Sequence, residues 1–221
     1  MLNTAQYETV LRLLDGRMRP DEYGRSLVCS LYYDTPDFRL IRTSMQKPRY
    51  KEKLRLRTYG VPTADTLAFA EIKKKYKGIV YKRRVMLPYS DAMSWLSGER
   101  GAPDGGQISR EIDYMKGYYA PISPACVLCY DRVAYYSDQD EGLRVTFDEN
   151  IRYRFTDLDL TLGDSGEYLT HEGQYMMEIK IPGGMPLWLA RGLSEARIFP
   201  TSYSKYANAY INYQKRNIIT Y

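Results

Sequence analysis

Apolar and polar residues alternate at every second position through much of the chain, which is the pattern of strands with one buried face. The alternation is clearest in KEKLRLR, residues 51–57, where leucines and cations exchange places. Comparable runs predict strands over residues 26–35, 49–59, 66–75, 78–87, 125–137, 142–149, 151–158 and 174–182. Strands are therefore expected to supply most of the fold.

Apolar residues at helical spacing predict a smaller set of helices. These predictions cover residues 4–19, 90–99, 107–120, 187–196 and 203–217. Asp34, Thr35 and Pro36 predict a turn after the first long strand. Neither an internal repeat nor a domain linker is visible, and 221 residues suit one domain. The sequence thus predicts a single α+β domain over residues 1–221.

Positive charge is concentrated in one segment of the chain. Residues 47–84 hold thirteen Lys and Arg against three acids, a net of +10, while the whole chain has +5. The remainder is therefore −5, since 5 minus 10 is −5. Such local basicity favours a focused anion site over a generally basic surface.

The strand period places these cations on shared faces. Lys51, Lys53, Arg55 and Arg57 share one face of their run, Lys73 and Lys75 share a face with Glu71, and Lys82 shares one with Arg84. Like charges on neighbouring strands repel each other. A polyanion bound among the strands would offset that repulsion, so the pattern points to phosphate chemistry.

Two architectures accommodate strands with one charged and one apolar face. A flat sheet would turn the charged face to water, and a closed barrel would turn it to the lumen. The recurrence of basic residues in successive strands favours the barrel. A nucleic-acid surface is disfavoured, because Tyr50 falls on the face opposite Arg55 and Arg57, whereas base-stacking aromatics would share the cations' face.

Several protein classes are excluded by composition. No run approaches the roughly 18 apolar residues of a membrane helix, and the first residues lack a signal-peptide pattern. Three cysteines make no disulfide framework. His171, the only histidine, has no Cys or acidic cluster at metal-ligand spacing. A cytoplasmic protein without a membrane segment is expected.

The motifs then point to a family. SLYYDTPDFRL, KEKLRLRTYG, EIKKKYKGIVYKRRV, YDRVAY, LRVTFDENIRYR, MEIK and YSKYANAY follow one another in this order. Together they resemble the VTC domain of polyphosphate polymerases, within the CYTH/triphosphate tunnel superfamily. The resemblance extends from about residue 5 to residue 215 and implies an antiparallel β-barrel tunnel with flanking helices. It also implies transfer of the γ-phosphoryl group of ATP to a growing polyphosphate chain, with Mn²⁺ or Mg²⁺.

The resemblance assigns site residues by motif. The matching catalytic cations are Arg55, Arg57, Lys73, Lys82, Arg132, Arg144 and Lys205. Lys53, Arg84 and Lys180 are expected to bind substrate, and Glu178 of MEIK matches the metal-binding glutamate. Arginine suits such a site because its planar fork donates two hydrogen bonds to one phosphate, while a hard divalent cation prefers carboxylate and phosphate oxygens.

One departure from the family keeps alternatives open. Family members begin with an R-x-E-x-K-Y strand, and the sequence predicts a tunnel that lacks this usual first strand. The alternatives are a tunnel triphosphatase that hydrolyses tripolyphosphate and a non-catalytic polyphosphate-binding module. The expected partners are ATP and polyphosphate, with no nucleic acid. Whether a membrane partner takes up the product is left open.

Overall fold

The computed structural model describes the backbone of residues 1–219 and the side chains of residues 1–216. Within that range the α-helices are α1 (Thr4–Leu14), α2 (Arg39–Met45), α3 (Tyr89–Ser97), α4 (Gln107–Tyr118), α5 (Leu187–Glu195) and α6 (Lys205–Ile219). The strands are β1 (Arg19–Pro20), β2 (Ser26–Asp34), β3 (Tyr50–Tyr59), β4 (Leu67–Tyr76), β5 (Ile79–Pro88), β6 (Ser123–Tyr136), β7 (Arg144–Arg154), β8 (Glu167–Tyr168) and β9 (Met176–Lys180). All five predicted helices are present.

The strands form one large antiparallel sheet that does not close into a barrel. Hydrogen-bonded neighbours follow the order β5-β4-β3-β2-β6-β7-β8, with β1 paired to β6 and β9 paired to β7. Closure would require the two outer strands to pair with each other. In the described part of the chain β5 pairs with β4 alone, and the opposite end is the two-residue β8. The α+β class with flanking helices is confirmed, whereas the predicted closed tunnel is wrong.

Two local differences from the predicted elements have physical causes. The strands predicted over residues 142–149 and 151–158 are one strand, β7, which continues through Asn150 at a φ of 49°. The side-chain amide of Asn150 donates to Asp131 Oδ2 at 2.9 Å. This contact across the sheet holds a conformation that asparagine tolerates better than most residues, so the strand need not end there.

The helix α2 follows the predicted turn at Asp34, Thr35 and Pro36, in a segment for which the sequence predicts no element. The buried Asp34 carboxylate accepts hydrogen bonds from the backbone N–H groups of Leu40 and Ile41 at 2.8 and 3.0 Å. Asp34, six residues before Leu40, thus accepts from two backbone N–H groups that have no partner within the first turn of the helix. The usual signal, a capping side chain directly before the helix, is not provided by Phe38.

The chain divides into two compact units. The first comprises Met1–Leu27, Tyr130–Ile151 and Tyr168–Tyr203; the second comprises Val28–Cys129, Arg152–Glu167 and the residues from Ser204 onward. The core of the first unit joins α1, α5 and β7 through Val10, Leu14, Val145, Phe147, Leu189 and Leu193. The prediction of a single domain stays a prediction.

In the second unit, β3 and β4 each have one apolar face. Leu54 lies opposite Ile72, and Leu56 lies opposite Ala70, all of them buried. The helices α3 and α4 pack on β4 and β5, and on this face Lys74 Nζ lies 3.1 Å from Glu111 Oε2 of α4. The other cationic residues of β3 and β4 project from the opposite face.

Candidate functional site: a cation face on β3, β4 and β5

The predicted cations of the central segment lie together in the second unit. We call the face that carries them the cation face; it comprises Lys51, Lys53, Arg55, Arg57, Glu71, Lys73, Lys75, Lys82 and Arg84. The strand register arranges them in rows that run across the sheet. Lys53, Lys73 and Lys82 form one row, because Lys73 pairs with both others. Arg55, Glu71 and Arg84 form the next.

Glu71 is the centre of this charge cluster. Its side chain is 1% exposed, and Oε2 lies 2.6 Å from Nε and from Nη2 of Arg55. Lys82 Nζ lies 2.6 Å from Oε1, and Arg57 Nε lies 4.0 Å from Oε2. Burial raises the pKa of Glu71, but Arg55, Arg57 and Lys82 outweigh it and hold the pKa at about 2. One carboxylate therefore orients three cations while neutralising one charge.

Two lysines of the cation face, Lys51 and Lys53, have lowered pKa values. Burial lowers the pKa of Lys53, and Lys51, Lys73 and Arg55 lower it further. Burial and the neighbours Lys75, Lys47 and Lys73 act in the same direction on Lys51. Mutual repulsion of this kind favours the binding of a polyanion. The arrangement therefore fits a chain of phosphates better than a single carboxylate.

Tyr32 lies beside the arginines, and sequence reasoning did not identify it. Its hydroxyl accepts a hydrogen bond from Arg55 Nη1 at 3.2 Å, and its side chain is buried. Burial raises the pKa of Tyr32, but Arg55, Lys53 and Arg57 outweigh it and lower the pKa to about 8. Strand phase was the available signal, because Tyr32 pairs directly with Arg55 across β2 and β3.

The first turn of α6 lies over the lysine row. Lys53 Nζ donates to Ser204 Oγ at 3.1 Å, and Lys205 begins the helix at the next residue. Tyr206 stacks on Tyr32 with ring centroids 4.6 Å apart and donates its hydroxyl hydrogen to the buried Asp34 at 3.0 Å. These contacts hold the start of α6, and with it Lys205, beside the predicted phosphate-binding residues of the same unit.

The remaining predicted residues belong to the first unit, and Arg132 is held by a carboxylate there. Its Nε and Nη2 donate to the two oxygens of Asp148 at 2.6 and 2.8 Å. Burial lowers the pKa of Arg132, but this two-pronged contact outweighs it and raises the pKa. Asp148 is fully buried. Sequence reasoning missed Asp148, although the alternation of LRVTFD gives it the same strand phase as Arg144.

Arg144, Glu178 and Lys180 share one face of β7 and β9. Arg144 pairs with Lys180, and Thr146 pairs with Glu178. Arg144 Nη2 lies 3.8 Å from Asp21 Oδ2, and its guanidinium lies 4.9 Å from the centre of the Tyr136 ring. The Nε atom of Arg144 is buried and makes no hydrogen bond within the described residues, so a donor remains available on this face.

Glu178 offers a carboxylate suited to a hard divalent cation. Its side chain is 45% exposed, with Oε1 3.6 Å from Lys180 Nζ, and Thr146 opposite it has a buried hydroxyl oxygen without a partner in the described residues. The side chains described hold no group of three or more His, Cys, Asp or Glu that could bind a metal. Mg²⁺ needs only one or two carboxylates when phosphate and water complete its coordination. The oxygen donors present therefore fit such an ion.

The large open antiparallel sheet and its flanking helices make the chain an α+β protein, and the clustered cations form a candidate anion-binding face. Residues 1–213 match the VTC domain family, and the chain belongs to that family. The resemblance seen in the motifs is thereby confirmed. No curated protein matches the chain significantly in sequence. Across residues 1–219, no helix combines the length and apolar character needed to cross a membrane.

Two solved structures are similar to the chain. A proposed adenylate cyclase from Bacillus halodurans has a TM-score of 0.56 and 13% identity, covering 92% of this chain and 90% of that chain. A proposed adenylate cyclase from Vibrio parahaemolyticus has a TM-score of 0.48 and 12% identity, covering 92% of this chain and 91% of that chain. At such identities the similarity to the Bacillus protein concerns the fold alone.

Proposed function

We propose that this chain is an ATP-dependent polyphosphate polymerase that transfers the γ-phosphoryl group of ATP to the end of a polyphosphate chain. The main support is the cluster in which Arg55, Arg57 and Lys82 converge on the buried Glu71. Membership of the VTC domain family supports the same reaction. The partners of the reaction are ATP and polyphosphate, and the proposed setting is the cytoplasm.

The chain's own residues would act by position and charge. Phosphoryl transfer passes through a loose transition state with charge spread over the equatorial oxygens, so catalysis depends mainly on positioning and electrostatic stabilisation. Arg55 and Arg57 would each offer a planar fork to one phosphate. Lys53, Lys73 and Lys82 would hold the next phosphate as a row of point charges. Lys205 and Arg84 of the same unit would add further contacts to the bound anion. Arg132, Arg144 and Lys180 of the first unit are proposed as further phosphate-binding cations.

Glu178 is the proposed metal ligand. A divalent ion bound there, Mn²⁺ or Mg²⁺, would offset the negative charge that develops on the phosphate oxygens. Glu178 itself would orient its carboxylate toward the ion. Lys180, whose Nζ lies 3.6 Å from that carboxylate, would hold it in place.

The lysine rows of the cation face, Lys51 with Lys75 and Lys53 with Lys73 and Lys82, are not interleaved with aromatic residues, which disfavours nucleic acid as the partner. Tyr50 projects from the face opposite Lys53 and donates its hydroxyl hydrogen to Glu52 at 2.8 Å. Leu54 and Leu56 on that face are fully buried. A site that binds single strands would instead interleave its cations with exposed aromatic rings. A phosphate polymer without bases fits the lysine rows better.

The test is ³¹P NMR of the purified protein incubated with ATP and Mn²⁺, with Arg57→Ala as the control variant. Growth of the internal-phosphate resonance of polyphosphate, absent from the variant, would support the polymerase. Release of orthophosphate alone would favour the triphosphatase. Tight binding of polyphosphate with an unchanged ATP spectrum would favour the binding module.

A further inference from the structure

The cation face does not remain charged along its whole length. Beyond the row of Arg55, Glu71 and Arg84, the next row holds Arg57, Phe69 and Met86. The strand phase then places Tyr59 of β3 and Leu67 of β4 on the same face. We call Tyr59, Leu67, Phe69 and Met86 the apolar rim. Along the strands, the same surface thus changes from the lysine row to the row of Arg55 and then to the apolar rim. Neighbouring rows are two residues apart, so these two steps cover about 13 Å.

Three of the four side chains of the apolar rim are largely exposed to solvent. Met86 is 58% exposed, Tyr59 53% and Leu67 49%, whereas Phe69 is 8% exposed and anchors the group. Tyr59 meets Phe69 edge to face, with ring centroids 5.7 Å apart. An exposed apolar patch bordered by charge marks a place where a ligand or partner removes it from water. Its ligand should therefore be apolar at one end and anionic at the other.

We propose that the apolar rim binds the base of a nucleoside triphosphate whose phosphates lie on the cation face. This inference rests on the proposed function, because it deepens the description of the same site. A base joined to a triphosphate has the required order of chemistry, a flat apolar group followed by a chain of negative charges. The charge complementarity of the adjoining rows selects this occupant over a purely apolar one.

Arg84 and the aromatic rings supply the contacts that a base needs. The Arg84 guanidinium lies over the Phe69 ring, 4.7 Å from its centroid, and the Arg84 side chain is exposed. Bases stack on aromatic rings and on guanidinium planes without regard to sequence. Tyr59 can therefore cover one side of the base, while Met86 and Leu67 contact its edges. Arg84 lies where the base region meets the phosphate region.

The rim also gives the bound nucleotide a direction. With the base beside Leu67 and Met86, the γ-phosphate points along the strands toward the lysine row of Lys53, Lys73 and Lys82. Lys51 and Lys75 lie one row beyond. A growing polyphosphate chain would therefore extend over the hairpin that joins β4 and β5, away from the nucleoside.

A second copy of the chain is a poorer occupant. Two rims packed against each other would bring the Arg84 residues of both copies close together, and the adjacent Glu71 is already shared by Arg55, Arg57 and Lys82. Like charges brought together on removal from water oppose association. A nucleoside triphosphate instead carries its own compensating charge.

The experiment compares the dissociation constants for ATP and for tripolyphosphate by isothermal titration calorimetry without turnover. The variants are Tyr59→Ser and Met86→Thr, and Tyr76→Ser is the matched control, because Tyr76 is an exposed residue on the opposite face of β4. Each rim variant should weaken ATP binding about tenfold and leave tripolyphosphate binding within about twofold of the unaltered protein. The control should change neither constant.

Other outcomes would overturn the inference. Unchanged ATP binding in both rim variants would show that the rim does not contact the base. A dimer that dissociates in Tyr59→Ser would assign the rim to a second copy. The binding measurement is independent of polyphosphate synthesis. If the unaltered protein made no polyphosphate, and the rim variants bound ATP more weakly but tripolyphosphate as before, the rim would stand as the base site and the polymerase would be refuted.

Discussion

Glu71 and Arg55 lie directly opposite each other on β4 and β3, and Glu71 Oε2 is 2.6 Å from both Nε and Nη2 of Arg55. The carboxylate thus occupies the fork with which an arginine binds phosphate. Lys82 approaches the other oxygen from β5. Glu71 therefore holds Arg55 and Lys82 close together on the cation face.

Replacing Glu71 with Gln should lower the stability of the fold without weakening the binding of tripolyphosphate. Loss of a buried charge that three cations share should lower the free energy of unfolding by about 3 kcal/mol. Tripolyphosphate should bind at least as tightly as before, because the fork of Arg55 is released and one negative charge is removed. Urea denaturation with and without tripolyphosphate measures both effects. Weaker tripolyphosphate binding in a folded variant would show instead that Glu71 must orient Arg55 for the ligand.

The same carboxylate predicts an acid dependence of stability. The pKa of Glu71 is about 2 in the folded protein, against an ordinary value of 4.5. Because the pKa is lower in the folded protein, ionised Glu71 stabilises the fold at pH values above the ordinary pKa. This stabilisation is lost as the pH falls toward 2. The difference in unfolding free energy between the unaltered protein and Glu71→Gln should thus be constant near neutral pH and shrink below about pH 4.5. A difference that does not change with pH would contradict the assignment.

Substitution of the arginines tests the phosphate contacts. Arg55→Ala and Arg57→Ala should each reduce the rate of polyphosphate synthesis by about 100-fold or more, because each removes preorganised donors. Arg83→Ala is the matched control, since Arg83 lies on the same sheet but pairs with Glu111 on the opposite face. Circular dichroism and the rate of polyphosphate synthesis from ATP are the measurements. Full activity in both folded variants would refute this site.

The faces on which the cations lie could be predicted from the sequence, whereas the residues that contact them on neighbouring strands could not. Alternation alone places Lys53, Arg55 and Arg57 on one face of β3, because the strand period requires no knowledge of neighbouring strands. The partners of the cations depend on register between strands. The pairs of Arg55 with Tyr32 and of Arg132 with Asp148 join residues of different strands, so neither follows from one strand alone.

Tyr32 should ionise near pH 8. Burial opposes its ionisation, but Arg55, Lys53 and Arg57 lower the pKa to about 8 from an ordinary value of 10.0. Because the folded-state pKa is the lower one, this group adds stability as the pH rises from about 8 to about 10. Ultraviolet titration should show one tyrosinate near pH 8 that is absent from Tyr32→Phe. Bound tripolyphosphate should raise the midpoint, since the anion's negative charge opposes formation of a second anion beside Arg55.

The variant Tyr32→Phe is the control for that titration. The Tyr32→Phe substitution keeps the ring that stacks on Tyr206 and removes only the hydroxyl that Arg55 contacts. Stability at pH 6 should then change little, because Tyr32 is un-ionised there in the unaltered protein. A titration near pH 8 that persists in Tyr32→Phe would assign the ionisation to another group.

Glu178→Gln tests the proposed metal ligand separately from the phosphate contacts. The amide keeps the size of the side chain and loses the negative charge that a hard cation prefers. The Mn²⁺ concentration needed for half-maximal polyphosphate synthesis should rise about tenfold or more, as metal sites lose affinity by such factors when an interaction at the site is removed. Tripolyphosphate binding in the presence of a chelator should stay unchanged, because no metal then contributes. Lys180→Met is the companion variant, since Lys180 Nζ lies 3.6 Å from the same carboxylate. If the Mn²⁺ dependence of Glu178→Gln matched that of the unaltered protein, Glu178 would be only the ion-pair partner of Lys180.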